Sequence, residues 1–435
     1  MRPILFLLLF VASLSAQQTR HLTILHSNDL HARLSPDDKH RGGFAYLATL
    51  VRRERTGCHD CMYLNAGDLA QGTPVSTIFH GEPVFKIGNK LKFDAATIGN
   101  HDLDYGYKQT EKFISMAKYP MLSANIVDAS GKLFARKPYV IKKVNGIRVG
   151  IIGAVMSDLE AFLKPKDLGP WHSAPAKEAV AKYAKELRNK VDVIIVLGHI
   201  HAKEGSSIIA EVPEVNVVVE GHDHRGRAEL EAVDGRVAVG CAGYGTELCR
   251  LDLEVNIAQK KLVSWKWTKL PVDSTTIAAA PDVEKLVAKW EKRVSERVDV
   301  VIGESKRDFV QRDLVPVIER ATLEEMHADF TSMNSGGVRD RLNKGKIMER
   351  QIWNMIPFDN VMMIAKVRGS QVSEKLRKGA VVEPDKEYTI ALSDFLATTP
   401  GSISSLGLDG VKFQETDQFL RDIVINWIKK NKVVE

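Results

Sequence analysis

The chain has 435 residues, 44% of them apolar and 27% charged, with a formal net charge of +6. That length suits two or three domains with a substantial core, and the composition excludes a disordered chain. The mild positive balance, without a long Lys/Arg block, argues against a dedicated nucleic-acid binder, while a small phosphorylated molecule would still be attracted.

In chain order, Met1-Arg2 is followed by an apolar run from Ile4 to Ala12 and then by Ser13, Ser15 and Ala16. This is the layout of a secretory signal peptide over residues 1–16, cut after Ser15 or Ala16. The run is short for a spanning helix, which needs about 20 residues. No later stretch is long and apolar enough to span a bilayer. The expectation is a periplasmic or secreted protein without stable membrane insertion.

Residues 22–26 form a short apolar strand pattern. Helical spacing over 43–55 puts Phe44, Leu47, Leu50 and Val51 on one side. Strands follow at 62–64, within 93–98, and at 149–155, 191–197 and 215–219, with helices at 107–117 and 174–189. This alternation predicts an α/β domain over 20–275. The stretches 236–241, 248–255 and 262–270 read as antiparallel strands, with Asp234-Gly235 a hairpin turn. Residues 278–298 read as a long charged helix opened by Pro281-Asp282, a linker over 276–298. A second, smaller α/β unit occupies 299–435.

Four cysteines, Cys58, Cys61, Cys241 and Cys249, fit structural disulfides in an exported chain. The pairing is open. Cys58-His59-Asp60-Cys61 also has the form of half a zinc site or of a redox pair, but no second cysteine pair with finger spacing follows.

Polar groups with metal-binding chemistry follow five of the predicted strands. They are Asn28-Asp29-Leu30-His31, Gly67-Asp68, Gly99-Asn100-His101-Asp102, Gly198-His199 and Gly221-His222-Asp223-His224. In an open α/β sheet the carboxyl ends of the strands share one edge, so five loops deliver Asp, His and Asn to one place. Burying such groups together without a counter-charge is very costly, and a pair of divalent cations supplies that charge. Asp and His mixed with an Asn oxygen suit Zn, Mn or Fe(II) rather than Ca. His201, two residues beyond His199, competes with it as a ligand; His199 directly follows the strand-ending glycine. His26 reads as packing or support, and His21, His40, His59, His80, His172 and His327 as surface or loop residues.

These five motifs together resemble the calcineurin-like metallophosphoesterase superfamily. Gly72-Thr73-Pro74 and the stretch from Asn100 to Gly106 resemble more closely the exported bacterial 5′-nucleotidases, a two-domain family. The resemblance implies an N-terminal calcineurin-like four-layer α/β/β/α sandwich plus a smaller C-terminal α/β domain. It implies that Asp29, His31 and His224 bind one metal, that Asn100, His199 and His222 bind the other, and that Asp68 bridges them. His101, held by Asp104, would stabilise the leaving oxygen or the phosphoryl group. A metal-bound water ionises near neutral pH, which makes hydroxide available as the nucleophile.

In the second domain, Met333-Asn334-Ser335-Gly336-Gly337-Val338-Arg339 is similar to the family's Asn-x-Gly-Gly-x-Arg segment, which implies substrate contacts from Asn334, Gly336, Gly337 and Arg339. An Arg fork after a glycine turn suits phosphate or carboxylate. Pro357-Phe358-Asp359-Asn360 and the stretch from Ser393 to Ala397 resemble the family's two aromatic loops, so Phe358 and Phe395 would clamp a nucleobase. Where the family has a Gly-Gly-Asp-Gly run, with an Asp for ribose hydroxyls, this chain has Thr398-Thr399-Pro400-Gly401-Ser402. The region of Arg312 matches the family's substrate-side Arg motif only loosely.

The expected activity is hydrolysis of the 5′-phosphate of nucleotides. The alternatives are a cyclic-nucleotide, nucleotide-sugar or other phosphoester substrate, or a metal- or nucleotide-binding protein without turnover. The His101–Asp104 pair argues against the last, because a pure binder has no use for a leaving-group acid.

Overall fold

The computed structural model describes residues 19–435; the signal-peptide reading at 1–16 lies outside the described residues. The N-terminal part holds two six-stranded sheets. The first runs in the order Lys261–Pro271, Glu247–Asn256, Thr19–Ser27, Cys61–Asn65, Ala95–Thr97, Met121–Leu122. The second runs Glu231–Val233, Arg236–Gly240, Val217–Gly221, Val193–His199, Ile147–Val155, Tyr139–Val144.

Alternation along each strand explains the stacking. Leu22, Ile24, Met62 and Leu64 of the first sheet share one buried cluster with Val193, Ile195, Val217 and Val219 of the second. The opposite faces pack on helices. Leu25 and Tyr63 cluster with Phe44, Leu47 and Val51 of the helix Phe44–Arg55. Ile194, Val196 and Val218 cluster with Val180, Ala184 and Leu187 of the helix Ala176–Leu187. Strands buried on both faces read as continuous apolar runs, which is why the central ones were legible. The result is the expected four-layer α/β/β/α sandwich.

One expectation needs correction. The strand Arg236–Gly240 belongs to the second sheet, where it pairs parallel with Val217–Gly221 on one side. On the other it pairs antiparallel with Glu231–Val233 through the expected Asp234-Gly235 turn, whose φ values are 49° and 75°. Only Glu247–Asn256 and Lys261–Pro271 form the long antiparallel hairpin of the first sheet. Every residue of Arg236–Gly240 is buried, the mark of an interior strand rather than of a half-exposed meander.

The helix Pro281–Val298 packs on the N-terminal part. Val283, Val287, Val294 and Val298 lie in the N-terminal core, and Trp290 packs edge-on against Phe79 with ring centroids 4.9 Å apart. Beyond it stand a four-stranded sheet (Phe330–Thr331, Glu387–Ser393, Val361–Arg368, Gln414–Phe419) and a three-stranded one (Gly345–Met348, Val301–Ser305, Val433–Val434). The helices Gln311–Met326 and Leu420–Asn431 bury Leu314, Ile318, Val424 and Ile428 in this smaller core.

Cys58 pairs with Cys61 and Cys241 with Cys249, which agrees with the expected structural disulfides and not with the alternative of half a zinc site. Among the described residues no helix is long and apolar enough to cross a membrane.

Candidate metal centre and substrate cavity

The strand Thr19–Ser27 ends just before Asn28, Asp29 and His31, and Cys61–Asn65 ends just before Asp68. Ala95–Thr97 leads into the short turn Asn100–Leu103 with Asn100 and His101. His199 closes Val193–His199, and His222 and His224 follow Val217–Gly221. The first three groups come from one sheet and the last two from the other.

The backbone at these loops is strained. Asp29 (φ 51°), His31 (46°), Asp68 (53°), His222 (86°) and His224 (53°) all lie in the left-handed region. Each such conformation costs on the order of 1–3 kcal/mol and persists only where its surroundings over-determine it. Here the loops brace one another: Asp29 N–H donates to Gly67 O at 2.9 Å, and His31 N–H to Asp68 O at 3.0 Å. A Cβ at Gly99 would fall 2.1 Å from Asp68 Oδ1, and one at Gly221 2.3 Å from Ala66 O. Only glycine permits that approach.

The side chains converge. His31 Nε2 and His224 Nε2 are 2.9 Å apart. His31 Nε2 lies 3.6 Å from Asp68 Oδ2, and His224 Nε2 3.7 Å from Asp29 Oδ1. His199 Nε2 is 3.0 Å from Asn100 Oδ1 and 3.2 Å from Asp68 Oδ2. The His222 ring centre is 5.2 Å from that of His199, and the His222 backbone N–H donates to the Asp29 carboxylate at 3.0 Å. The opposite ring nitrogens are occupied. His31 Nδ1 faces Gln71 O at 3.0 Å, His199 Nδ1 faces Ala66 O at 2.8 Å, and His224 Nδ1 faces the Tyr244 hydroxyl at 3.0 Å. When Nδ1 carries the proton, Nε2 presents its lone pair to the centre.

Burial holds His31 well below the usual imidazole range and pushes His222 down to about 2 and His224 to about 3, so these rings are neutral donors. Burial also acts against Asp68, but the neighbouring His199 and His101 outweigh it and keep the carboxyl well below its usual range. Asp29 is pushed up to about 6 by burial, despite His199. Burial lowers His199, yet Asp68 reverses this and raises it to about 9.

Asp68 Oδ2 is buried with no hydrogen bond; the nearby His199 nitrogen lies off the required line. This carboxylate oxygen, with the neutral Nε2 of His31 3.6 Å away, is open to a cation. Asp29, His31, Asp68 and His224 each offer an atom within 4.8 Å of the others. This donor set fits a divalent metal of the Zn, Mn or Fe type. His201, His222 and Asp223 form a second such group, with His201 Nε2 turned 3.0 Å from Asp158 Oδ1 at the rim. His199, fully buried, is the histidine that shares the centre with Asp68.

His101 Nδ1 lies 2.7 Å from Asp104 Oδ2, and its backbone N–H donates to Asp68 Oδ1 at 2.9 Å. Burial disfavours its charge, but Asp104 and Asp68 outweigh that and raise its pKa. Asp102 was not singled out from sequence. Its carboxylate accepts from the N–H groups of Leu69, Ala70 and Gly99, all at 3.0 Å, and so ties the Asp68 loop to the Asn100 loop. Its place in the Gly-Asn-His-Asp motif was the available signal.

A cavity of about 370 Å³ opens between the two domains. Asn100, His101, Asp104, His222 and His224 line one side. Asn334, Gly336, Gly337, Arg339, Phe358 and Phe395 line the other. Every substrate-side residue expected from sequence therefore reaches the same cavity as the metal-site loops. Arg339 Nη2 is buried without a hydrogen bond. Phe358 stacks on His101 with centroids 5.5 Å apart. Of the stretch 398–402, Ser402 reaches the cavity. Arg312 lies outside it, 89% exposed, in an adjoining groove that shares His224, Gly336 and Arg339 with the cavity. Lys164 and Asp167, absent from the sequence expectations, also line the cavity.

The family described as calcineurin-like phosphoesterase matches residues 22–226, and the 5′-nucleotidase C-terminal domain matches residues 294–381. The chain is 27% identical over 457 residues to protein UshA of Yersinia enterocolitica, covering 91% of this chain and 82% of that one. It is 24% identical over 456 residues to the endonuclease YhcR of Bacillus subtilis, covering 88% of this chain but only 37% of that longer protein. The crystal structure of a 5′-nucleotidase precursor from Thermus thermophilus has the same fold, with a TM-score of 0.85 at 21% identity, covering 96% of this chain and 97% of that one.

Proposed function

The chain belongs to the calcineurin-like metallophosphoesterases that carry a 5′-nucleotidase-type C-terminal domain, a hydrolase family, and on that premise we propose that it is an exported two-metal enzyme releasing the 5′-phosphate of nucleotides. The observation that carries this reading is the shared cavity, where the Asp68 and His101 loops face Arg339, Phe358 and Phe395. Export is supported by the amino-terminal sequence pattern and by two disulfides, which persist in oxidising compartments.

In this reading Asp29, His31 and His224 would hold one divalent cation and Asn100, His199 and His222 the other, with Asp68 available to both. When bound, the pair neutralises phosphate oxygens and readies a water as nucleophile. Arg339, which lines the cavity and has a free Nη2, forks onto the phosphate. His101, whose pKa Asp104 raises, gives its proton or hydrogen bond to the departing oxygen. Phe358 and Phe395 hold the flat part of the leaving alcohol.

The test is phosphate release by the mature protein with added Mn. The panel comprises nucleoside mono-, di- and triphosphates, cyclic nucleotides, nucleotide sugars and a generic aryl phosphate. A preference for nucleoside 5′-monophosphates supports the reading. Turnover of the aryl ester with no nucleotide preference would leave the metal site standing and refute the assigned substrate.

A further inference from the structure

Tyr244 sits in a loop closed by the Cys241–Cys249 disulfide, and its contacts run to all three residues assigned to one cation. Its hydroxyl is 3.0 Å from His224 Nδ1. Its backbone N–H donates to Asp29 O at 2.6 Å. Its ring centre lies 5.4 Å from that of His31 and 5.1 Å from that of His224. The loop is fixed on the same residues: Gly243 N–H donates to His224 O at 2.7 Å, and Cys241 O accepts from Asn28 Nδ2 at 3.0 Å. From outside, the Arg33 guanidinium covers the Tyr244 ring 5.3 Å from its centre, and Arg33 is itself held by Asp340 of the C-terminal domain at 3.3 Å.

Resting on the two-cation reading above, we propose that Tyr244 is a positioning residue for the cation held by Asp29, His31 and His224, and not for the other. The phenol oxygen accepts from His224 Nδ1–H. That fixes the neutral tautomer whose Nε2 lone pair faces His31 and Asp68. His31 and His199 have Nδ1 anchored on backbone carbonyls, which no side-chain change removes. His224 depends on a side chain. The two cation positions therefore differ in how far substitution can loosen them, and Tyr244 is where they separate.

The test strips the full-length mature protein with a chelator and titrates it with Mn by calorimetry. Wild-type protein should show two binding events. Tyr244→Phe keeps the ring and the backbone N–H and removes only the oxygen, and it should weaken one event by about tenfold to a hundredfold. The other event should change by less than about threefold. Equal weakening of both events, or no change in either, overturns the proposal while the metal reading stands. Absence of any Mn binding by the wild type overturns the metal reading itself, and the proposal with it. A second measurement needs no variant. Nitrogen NMR of labelled histidines in wild-type protein should show His224 protonated at Nδ1, and protonation at Nε2 in the metal-free protein overturns the proposal.

Discussion

The Lys164 ammonium lies 3.3 Å from the Asp394 carboxylate, joining the N-terminal sandwich to the residue that precedes Phe395. The same ammonium donates to Asp359 O at 3.4 Å, next to Phe358. One side chain thus ties together both loops that carry the aromatic residues. Lys164 is 13% exposed and Asp394 2% exposed, so solvent screens this pair little. Lys164→Met should raise KM for a nucleoside monophosphate by about tenfold, with kcat changed by no more than about twofold, because the clamp and not the reacting centre is loosened. Steady-state kinetics on one nucleotide checks this, and a fall in kcat with unchanged KM would contradict it.

His101→Ala should lower kcat by about 10²- to 10⁴-fold, the usual contribution of a positioned acid. Bound metal, measured by elemental analysis, should be retained. Asp104→Asn removes the main partner that keeps His101 charged and should fall between the wild type and His101→Ala.

Asp68→Asn should weaken both the metal-free fold and its response to metal. The wild-type carboxylate is fully buried with one oxygen lacking a hydrogen bond. Without metal, His199 and His101 favour the ionised carboxylate, so removing that charge should lower the melting temperature. With metal, the wild type gains RT ln(1 + [L]/Kd) and the variant gains little, so the gap between the two melting temperatures widens. Thermal melts with and without added Mn check both statements.

Away from the centre, Asp192 accepts from the Arg148 backbone at 2.8 Å and from its guanidinium at 2.7 Å, tying the strand Ile147–Val155 to the entry of Val193–His199. Burial raises the Asp192 carboxyl, but these hydrogen bonds more than offset it and hold it below the usual range. A depressed carboxyl contributes stability above its unfolded pKa, near about 3.9, and that contribution is lost as pH falls through the lower folded value. Asp192→Asn should therefore lower the melting temperature by a few degrees at pH 7, and the difference should shrink as pH falls through the folded value. An equal loss at pH 7 and in acid would contradict the assignment.

What the sequence made legible, and what it did not, follows from the range of the signals. Strand ends and the residues after them are local features, so Asp29, Asp68, Asn100, His199 and His222 could be read directly from the chain. Period-2 and apolar runs show which residues are buried, but not which strand lies alongside. This is why Arg236–Gly240 was read with the hairpin and not with Val217–Gly221. Helical spacing marked Pro281–Val298 but could not show that its valines dock on the N-terminal core. Tyr244 and Lys164 act across 20 and 230 residues of chain respectively, on His224 and on Asp394, and no local pattern encodes such pairs.

The most direct measurement is phosphate release from a nucleoside 5′-monophosphate by chelator-stripped mature protein, followed as Mn or Zn is added back. The account predicts no turnover in the stripped protein and full recovery on saturating both cation positions. Undiminished turnover after complete metal removal, or none with any divalent metal although the protein is folded, would contradict it.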